Sequence, residues 1–307
     1  MNVTLELVKV NCPEIAKLHI EKLIAMVHLV EITAIVNLFL NAFLMLTATL
    51  GNGIIIFAIL RSPQLQTPSY LLITSSAFTD LLVGLTFHPL QIVLNVDYLQ
   101  SNIERMCEMA NLLTLVIVYF GFLSMFMVTA ISIDRYLALT LRNRYSIIVT
   151  KKRVRVLIVA SWILPSLLSF LTAIKQFAAT LLVIDTSLSV VFLSITFVFY
   201  GKSFRALHLY TAQVHAQQPN PSNGSFSVVR YKNILRTMFL VLGCLVLCSL
   251  PLVGTLIARS TNESTNETVF AYFVSLTVVS LNSSINPIIY LIRFTDIRTK
   301  CIQLIWN

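Results

Sequence analysis

Charge is what this chain has least of. Only 11% of its 307 residues are Asp, Glu, Lys or Arg, 57% are hydrophobic, and the mean hydropathy is +0.83. Soluble domains carry about a quarter charged residues, so a fully water-solvated surface is excluded. Cysteine is also sparse: five residues, with Cys244 and Cys248 inside an apolar run and Cys301 near the C-terminus, do not make a disulfide scaffold. Only Cys12 and Cys107 stand where an oxidising face is expected, and a bridge between them and two unpaired thiols are both open readings. Glycine numbers eight and forms no phosphate-cradling loop. The five histidines, at 19, 28, 88, 208 and 215, have no metal-ligand spacing. No internal repeat and no catalytic constellation stands out, so an enzyme is not expected.

What the chain has in abundance is long apolar runs. A helix needs about 20 apolar residues to cross the hydrocarbon, and seven stretches qualify: 33–60, 68–94, 107–133, 154–174, 178–200, 237–258 and 269–292. The expected fold is therefore an all-α membrane protein: a seven-helix bundle over 33–292, preceded by a segment 1–32. After it, residues 293–307 repeat Phe294, Ile297, Cys301 and Leu304 at helical spacing with Arg293, Arg298 and Lys300 off that stripe. This pattern predicts a short amphipathic helix on the inner leaflet. Cys301 there is either an acylation site or a plain interfacial thiol.

Orientation follows from the basic residues. Placing alternate joins on one face leaves only Lys9, Lys17, Lys22, Arg105, Lys175 and Arg259 on the other, so 16 of the 22 Lys and Arg gather on the first. By the positive-inside rule that face is cytoplasmic and the N-terminus is extracellular, as in a multi-pass plasma-membrane protein. The net charge of +9 is then a topology signal and an attraction to anionic lipid, not a nucleic-acid footprint. Glycosylation sequons at Asn2, Asn262 and Asn266 fall on the outer face. The first 30 residues are too interrupted by charge for a cleaved leader, so the first span is expected to serve as an uncleaved anchor.

Two features interrupt the apolar runs. Asp80 stands near the middle of the second span, where a carboxylate costs several kcal/mol unless partnered. Asn52, Ser124, Asn282, Ser283, Ser284 and Asn286 lie at depths that can converge on it, as an oxygen-rich cage for a small hard cation. Asp80 bridging helices through hydrogen bonds alone is the other reading. The second feature is Asp134-Arg135-Tyr136, which closes a run from Met109 to Ile133 free of Asp, Glu, Lys and Arg. Pro251 and Pro287 each remove a helical hydrogen bond and weaken the sixth and seventh spans.

These residues resemble the rhodopsin-like (class A) G-protein-coupled receptors. Gly51-Asn52, Asp80, Asp134-Arg135-Tyr136, Trp162, Cys248, Pro251 and Asn286-Pro287-Ile288-Ile289-Tyr290 stand in that family's order and spacing. A weaker resemblance, carried by a short cysteine-free fourth-to-fifth join and by Phe192 in place of a proline, points to the melanocortin, cannabinoid and lysophospholipid receptors. The class-level resemblance implies a receptor that binds an extracellular ligand and promotes nucleotide exchange on a heterotrimeric G-protein. It implies coupling and activation through Asp134, Arg135, Tyr136, Tyr200, Pro251, Asn286, Pro287 and Tyr290. It also implies an allosteric sodium pocket of Asp80, Ser124, Asn282, Ser283 and Asn286, with no required cofactor.

Departures from the family narrow the ligand. The span-three aspartate that holds an ammonium in amine receptors is Ile117 here, and the retinal lysine of opsins is Ser280. Ala110 stands where most of the family has an outer cysteine. The remaining pocket, Gln91, Ile117, Leu252, Val253, Leu256, Tyr272, Leu276 and Ser280, is mostly apolar and suits a lipid-like or small amphipathic molecule. Ser249 replaces the usual toggle tryptophan, which leaves open a constitutive or non-signalling receptor. A transporter is disfavoured by the odd number of spans and the lack of related halves.

Overall fold

The computed structural model describes residues 27–141, 144–172, 178–217, 224–261 and 265–306. Among them the chain is almost wholly helical and contains no strand. Its elements are α1 (Val27–Arg61), α2 (Pro68–Leu99), α3 (Ile103–Leu141), α4 (Lys151–Thr172), α5 (Ala178–Gln217), α6 (Gly224–Thr261), α7 (Asn266–Arg293) and α8 (Thr295–Trp306). A 3-10 turn, Pro63–Leu65, and a single α-turn, Tyr145–Ile148, lie in the joins. Six of these helices contain described segments long and apolar enough to cross a membrane. The 22 residues of α4 rise about 33 Å, a length comparable with the hydrocarbon thickness.

The helices outrun the apolar stretches that announce them. α3 continues past Ile133 to Leu141 and α5 past Tyr200 to Gln217. Hydropathy marks where the chain meets hydrocarbon, but backbone hydrogen bonding does not stop at the headgroups. α1 is described from Val27, and the terminal helix spans Thr295–Trp306. Cys12, Asn2 and Asn262 lie outside the described residues.

Helix ends are set by local chemistry. α2 closes with Ser101 in the left-handed region, φ 55°. Ser101 N–H donates to Tyr98 O at 3.0 Å and Asn102 N–H to Asp97 O at 2.9 Å, satisfying carbonyls that the helix would otherwise orphan. Asn102 then caps α3, its Oδ1 accepting from Arg105 N at 3.3 Å. Thr67, Thr150 and Thr265 hydroxyls serve the starts of α2, α4 and α7 in the same way.

The chain divides into two units. The first comprises residues 1–52, 80–117 and 243–286, and the second 53–79, 118–242 and 287–307. In the first, α1 and α2 approach so closely at Gly84 that an added Cβ would stand 2.6 Å from Thr49 Oγ1 and 3.1 Å from Ala48 Cβ. Small residues permit such contact in membranes, where packing rather than apolar burial drives association. In the second unit, Ile55, Ile59, Leu72, Ile73, Ile131, Tyr290, Phe294 and Ile297 form the main buried cluster. Large apolar side chains are exposed elsewhere: Ile32, Phe39, Phe43, Leu46 and Leu50 form an outward stripe along α1, each more than half exposed. Such a stripe is what lipid contact requires.

Candidate functional site

Near the C-terminal end of α3, Asp134 is buried at 4% exposure, and both of its oxygens are engaged. Oδ2 accepts from Arg135 Nε at 3.0 Å, from a terminal guanidinium nitrogen of Arg135, and from Ser69 Oγ at 2.8 Å. Oδ1 accepts from the Tyr145 hydroxyl at 2.5 Å, which also lies 3.0 Å from Ser69 Oγ. A carboxylate with four donors is well compensated for its burial. Burial, followed by the charge of Asp134 and the bond to it, pushes the Tyr145 hydroxyl up to about 12, so it stays a donor at neutral pH. Ser69 and Tyr145 are hydrogen-bond partners of Asp134 that the motif alone does not reveal. They arrive from α2 and from the turn after α3.

The other expected coupling residues are placed as follows. Tyr136 meets Phe199 edge-on at 5.4 Å. Tyr200 donates its hydroxyl to Leu235 O of α6 at 2.8 Å and lies against Phe239. Tyr290 is 1% exposed and packs with Phe294 and Ile297 in the main cluster, against which Tyr200 also rests. Pro287 is buried in α7, whereas Pro251 is on the exposed side of α6. Phe192 stacks edge-on with Phe122 and Phe126, and its carbonyl accepts from Thr129 and Thr196, whose hydroxyls lie 2.8 Å apart. That α3–α5 contact stands at the position where the resemblance expects proline.

In the first unit, Asp80 is 2% exposed. Asn286 Nδ2 donates to its Oδ2 at 2.8 Å, and Ser283 hydrogen-bonds to it as well. Asn52 Nδ2 donates to Ser283 O at 3.1 Å, and Ser284 Oγ to Leu44 O at 3.1 Å, so α1 fixes the register of α7. Three buried carbonyl oxygens here, Asn52 Oδ1, Asn282 Oδ1 and Asn286 Oδ1, accept no hydrogen bond. Carboxylate, hydroxyl and unused amide oxygens are the donor set a small hard cation takes. Ser124, expected with them, is half-buried in the second unit.

Of the expected pocket residues, all within the first unit, Gln91, Leu276 and Ser280 are buried, and Ile117, Leu252, Leu256 and Tyr272 are partly so. Ser280 donates to Thr277 O at 2.8 Å. Val253 is 44% exposed and shares its face with Ile257, one turn on and 57% exposed. Leu252 and Leu256, one turn apart, share a different side of α6 from Val253 and Ile257. Cys107 is disulfide-bonded, while Cys244, Cys248 and Cys301 are free. Cys301 is 3% exposed inside the main cluster, a place suited to a packing thiol and not to one carrying an acyl chain. Asn266, the described sequon residue, is the first residue of α7.

A family model described as 7 transmembrane receptor (rhodopsin family) matches residues 51–290. Octopamine receptor beta-1R of Drosophila melanogaster is 26% identical over 310 residues, covering 86% of this chain and 60% of that receptor. Trace amine-associated receptor 13c of Danio rerio is 27% identical, covering 86% of this chain and 83% of that receptor. Human cannabinoid receptor 2 is 27% identical, covering 83% and 74%. This chain thus spans about three fifths of the octopamine receptor's length. With the latch at Asp134 and the buried carboxylate at Asp80 in place, the match over residues 51–290 settles the family: the chain belongs to the rhodopsin-type seven-transmembrane receptors, the class A G-protein-coupled receptors, which are multi-pass signalling proteins and not enzymes.

Proposed function

We propose that this chain is a plasma-membrane receptor, N-terminus outside, that binds a small neutral apolar or amphipathic ligand and promotes nucleotide exchange on a heterotrimeric G-protein. The observation that carries the coupling half is the pairing of Arg135 with the four-donor carboxylate of Asp134 at the inner end of α3. Releasing Arg135 from that carboxylate frees a guanidinium to meet a partner's carbonyls, and binding of the partner shifts the population toward the released form. Sodium fits the Asp80 group by its oxygen set. Bound there, it would supply positive charge against the carboxylate and favour the packing in which Asp80, Ser283 and Asn286 converge. Asn266, Asn2 and Asn262 are the proposed glycan acceptors on the outside.

The ligand half rests on Ile117. Relatives named for octopamine and trace amines suggest a cationic ligand, but an ammonium beside Ile117 finds no charge-assisted partner there. Asp97, the buried outer acid of α2, is already ion-paired with Arg105 at 3.5 Å. A neutral ligand needs neither group, and the relative named for cannabinoids is about as similar as the amine receptors. A second reading, signalling without ligand, draws on Ser249. Its hydroxyl donates back to Leu245 O at 2.7 Å, so no bulky side chain is presented at that point of α6.

Reconstitution in nanodiscs with purified G-proteins, read out by nucleotide exchange, tests the coupling. Exchange above the empty-disc level that disappears in Arg135→Ala is expected. No Arg135-dependent exchange with any G-protein class, with or without added lipids and amines, would sink the receptor reading.

A further inference from the structure

His88, Gln91 and Asn95 recur at helical spacing in the outer half of α2 and so share one side of the helix. All three are fully buried. His88 Nδ1 lies 2.8 Å from Asn41 Oδ1, and Asn41 Nδ2 donates to Thr277 Oγ1 at 3.3 Å, which fixes the level at which α1, α2 and α7 meet. Because α1 runs inward and α2 outward, Asn37, one turn before Asn41, and Gln91, one turn after His88, lie at a common depth. That level is one turn nearer the outside. Five polar atoms of this group have no hydrogen-bond partner among the described residues: Asn37 Nδ2, His88 Nε2, both ends of the Gln91 amide, and Asn95 Oδ1. Gln91 is the extreme case, buried with neither its donor nor its acceptor used.

Buried polar groups are almost always satisfied, so five unpartnered atoms of mixed donor and acceptor character on two adjoining helices call for an occupant. Its charge is constrained by the side chains of this group: Asn37, Asn41, His88, Gln91, Asn95 and Thr277 are amides, an imidazole and a hydroxyl, and the acid two residues beyond Asn95, Asp97, faces Arg105 at 3.5 Å. A carboxylate or ammonium placed among neutral amides loses its hydration without gaining a counter-ion. A neutral group that both donates and accepts can satisfy Gln91 at each end. Leu276, buried at 3% exposure, immediately precedes Thr277 on α7, so an apolar wall begins beside the polar stripe.

We propose that this α1–α2–α7 face of the first unit holds the polar end of the ligand, and that this end is an uncharged hydroxyl or primary amide gripped by Gln91 and Asn37. The inference rests on the reading of the protein as a receptor for an amphipathic molecule and adds where and by which chemistry the head is held.

The test uses the full chain in nanodiscs without G-protein and four probes with the same hydrocarbon tail: oleamide, oleyl alcohol, oleic acid and oleylamine. Thermal shift is measured against probe concentration for wild type, Gln91→Leu and Asn37→Leu. Oleamide and oleyl alcohol should raise Tm and the two charged probes should not. Each variant should raise the half-saturating concentration of the neutral probes about tenfold, the loss of one hydrogen bond in a dry site. Unliganded Tm should not fall in Gln91→Leu, because an apolar replacement of an unpartnered amide leaves nothing unsatisfied. A lower unliganded Tm with unchanged probe response means that the stripe is bridged by internal water and overturns the proposal. Equal response to charged and neutral probes, or no response to the neutral ones, also overturns it. Arg135-dependent exchange, measured on the same discs, is independent of all these outcomes and keeps the receptor reading separately testable.

Discussion

The hydroxyl of Tyr145 donates to the carboxylate of Asp134, eleven positions earlier, at 2.5 Å and closes the one oxygen that Arg135 and Ser69 leave open. Arg135 is thus tied to a carboxylate that is itself pinned from two other elements. Unlatching must loosen the whole group.

Removing that hydroxyl should loosen it. Tyr145→Phe deletes one hydrogen bond to a charged group, worth about 1.5–3 kcal/mol. If a third of that distinguishes the latched from the released form, basal nucleotide exchange rises severalfold. Unchanged basal exchange at equal expression would show that Tyr145 does not hold the latch. The proton bookkeeping gives a second check. The Tyr145 hydroxyl ionises at about 12 in the folded protein against an ordinary 10.0, so its contribution is fully present below pH 10 and lost as pH rises through 12. Wild-type and Tyr145→Phe thermal stabilities should therefore run parallel through neutral pH and converge only in alkali.

Arg135 lacks an acid on the sixth helix to share its charge. The chain contains no Asp or Glu between Asp185 and Glu263. Wild type should show measurable agonist-free exchange, and Tyr231→Glu, which introduces an acid into the α6 sequence, should lower it. A silent wild type, or a Tyr231→Glu protein with the same basal rate, contradicts this.

Asp80 is expected to respond to sodium. Wild-type receptor should melt higher in sodium chloride than in choline chloride, by roughly 2 °C for each kcal/mol of binding in a protein of this size. Asp80→Asn keeps a group that Asn286 can bond but removes the charge, so its Tm should be the same in both salts. Identical melting of wild type in the two salts excludes the ion.

Cys301 should be chemically quiet. Burial pushes its thiol up, so little thiolate is available. Iodoacetamide should label it at least about tenfold more slowly in the folded receptor than after denaturation, and no hydroxylamine-sensitive thioester should be found on protein from eukaryotic membranes. A stoichiometric thioester would mean that α8 sits differently in the cell.

The long apolar helices and the two buried carboxylates were legible in the sequence because each is a property of one segment: apolar length for a helix, and an acid among apolar neighbours for Asp80 and Asp134. What was not legible is what depends on contact across elements. Ser69 lies 65 residues before Asp134 and looks like any serine at a helix start. The polar stripe was represented by Gln91 alone, since nothing local in Asn37, Asn41 or His88 says that α1 will stand opposite them. Which side of α6 Val253 faces was not legible either. Position in a span tells depth, but the side of the helix is decided by neighbours that periodicity in an all-apolar run does not single out. Helix ends were the third gap, because a serine in the left-handed region at Ser101 gives no glycine signal.

Gly84 has a further consequence. Since even one methyl group there would collide with Thr49, α1 and α2 of the first unit cannot slide or roll past one another without first moving apart. They act as a single straight-edge. Three residues of α7 are ruled against that edge, Thr277 by Asn41, Ser283 by Asn52 and Ser284 by the carbonyl of Leu44. A side chain at position 84 would therefore do more than weaken one interface: it would misalign the polar stripe and the Asp80 group together, so binding of a neutral head and response to sodium would fail in the same variant.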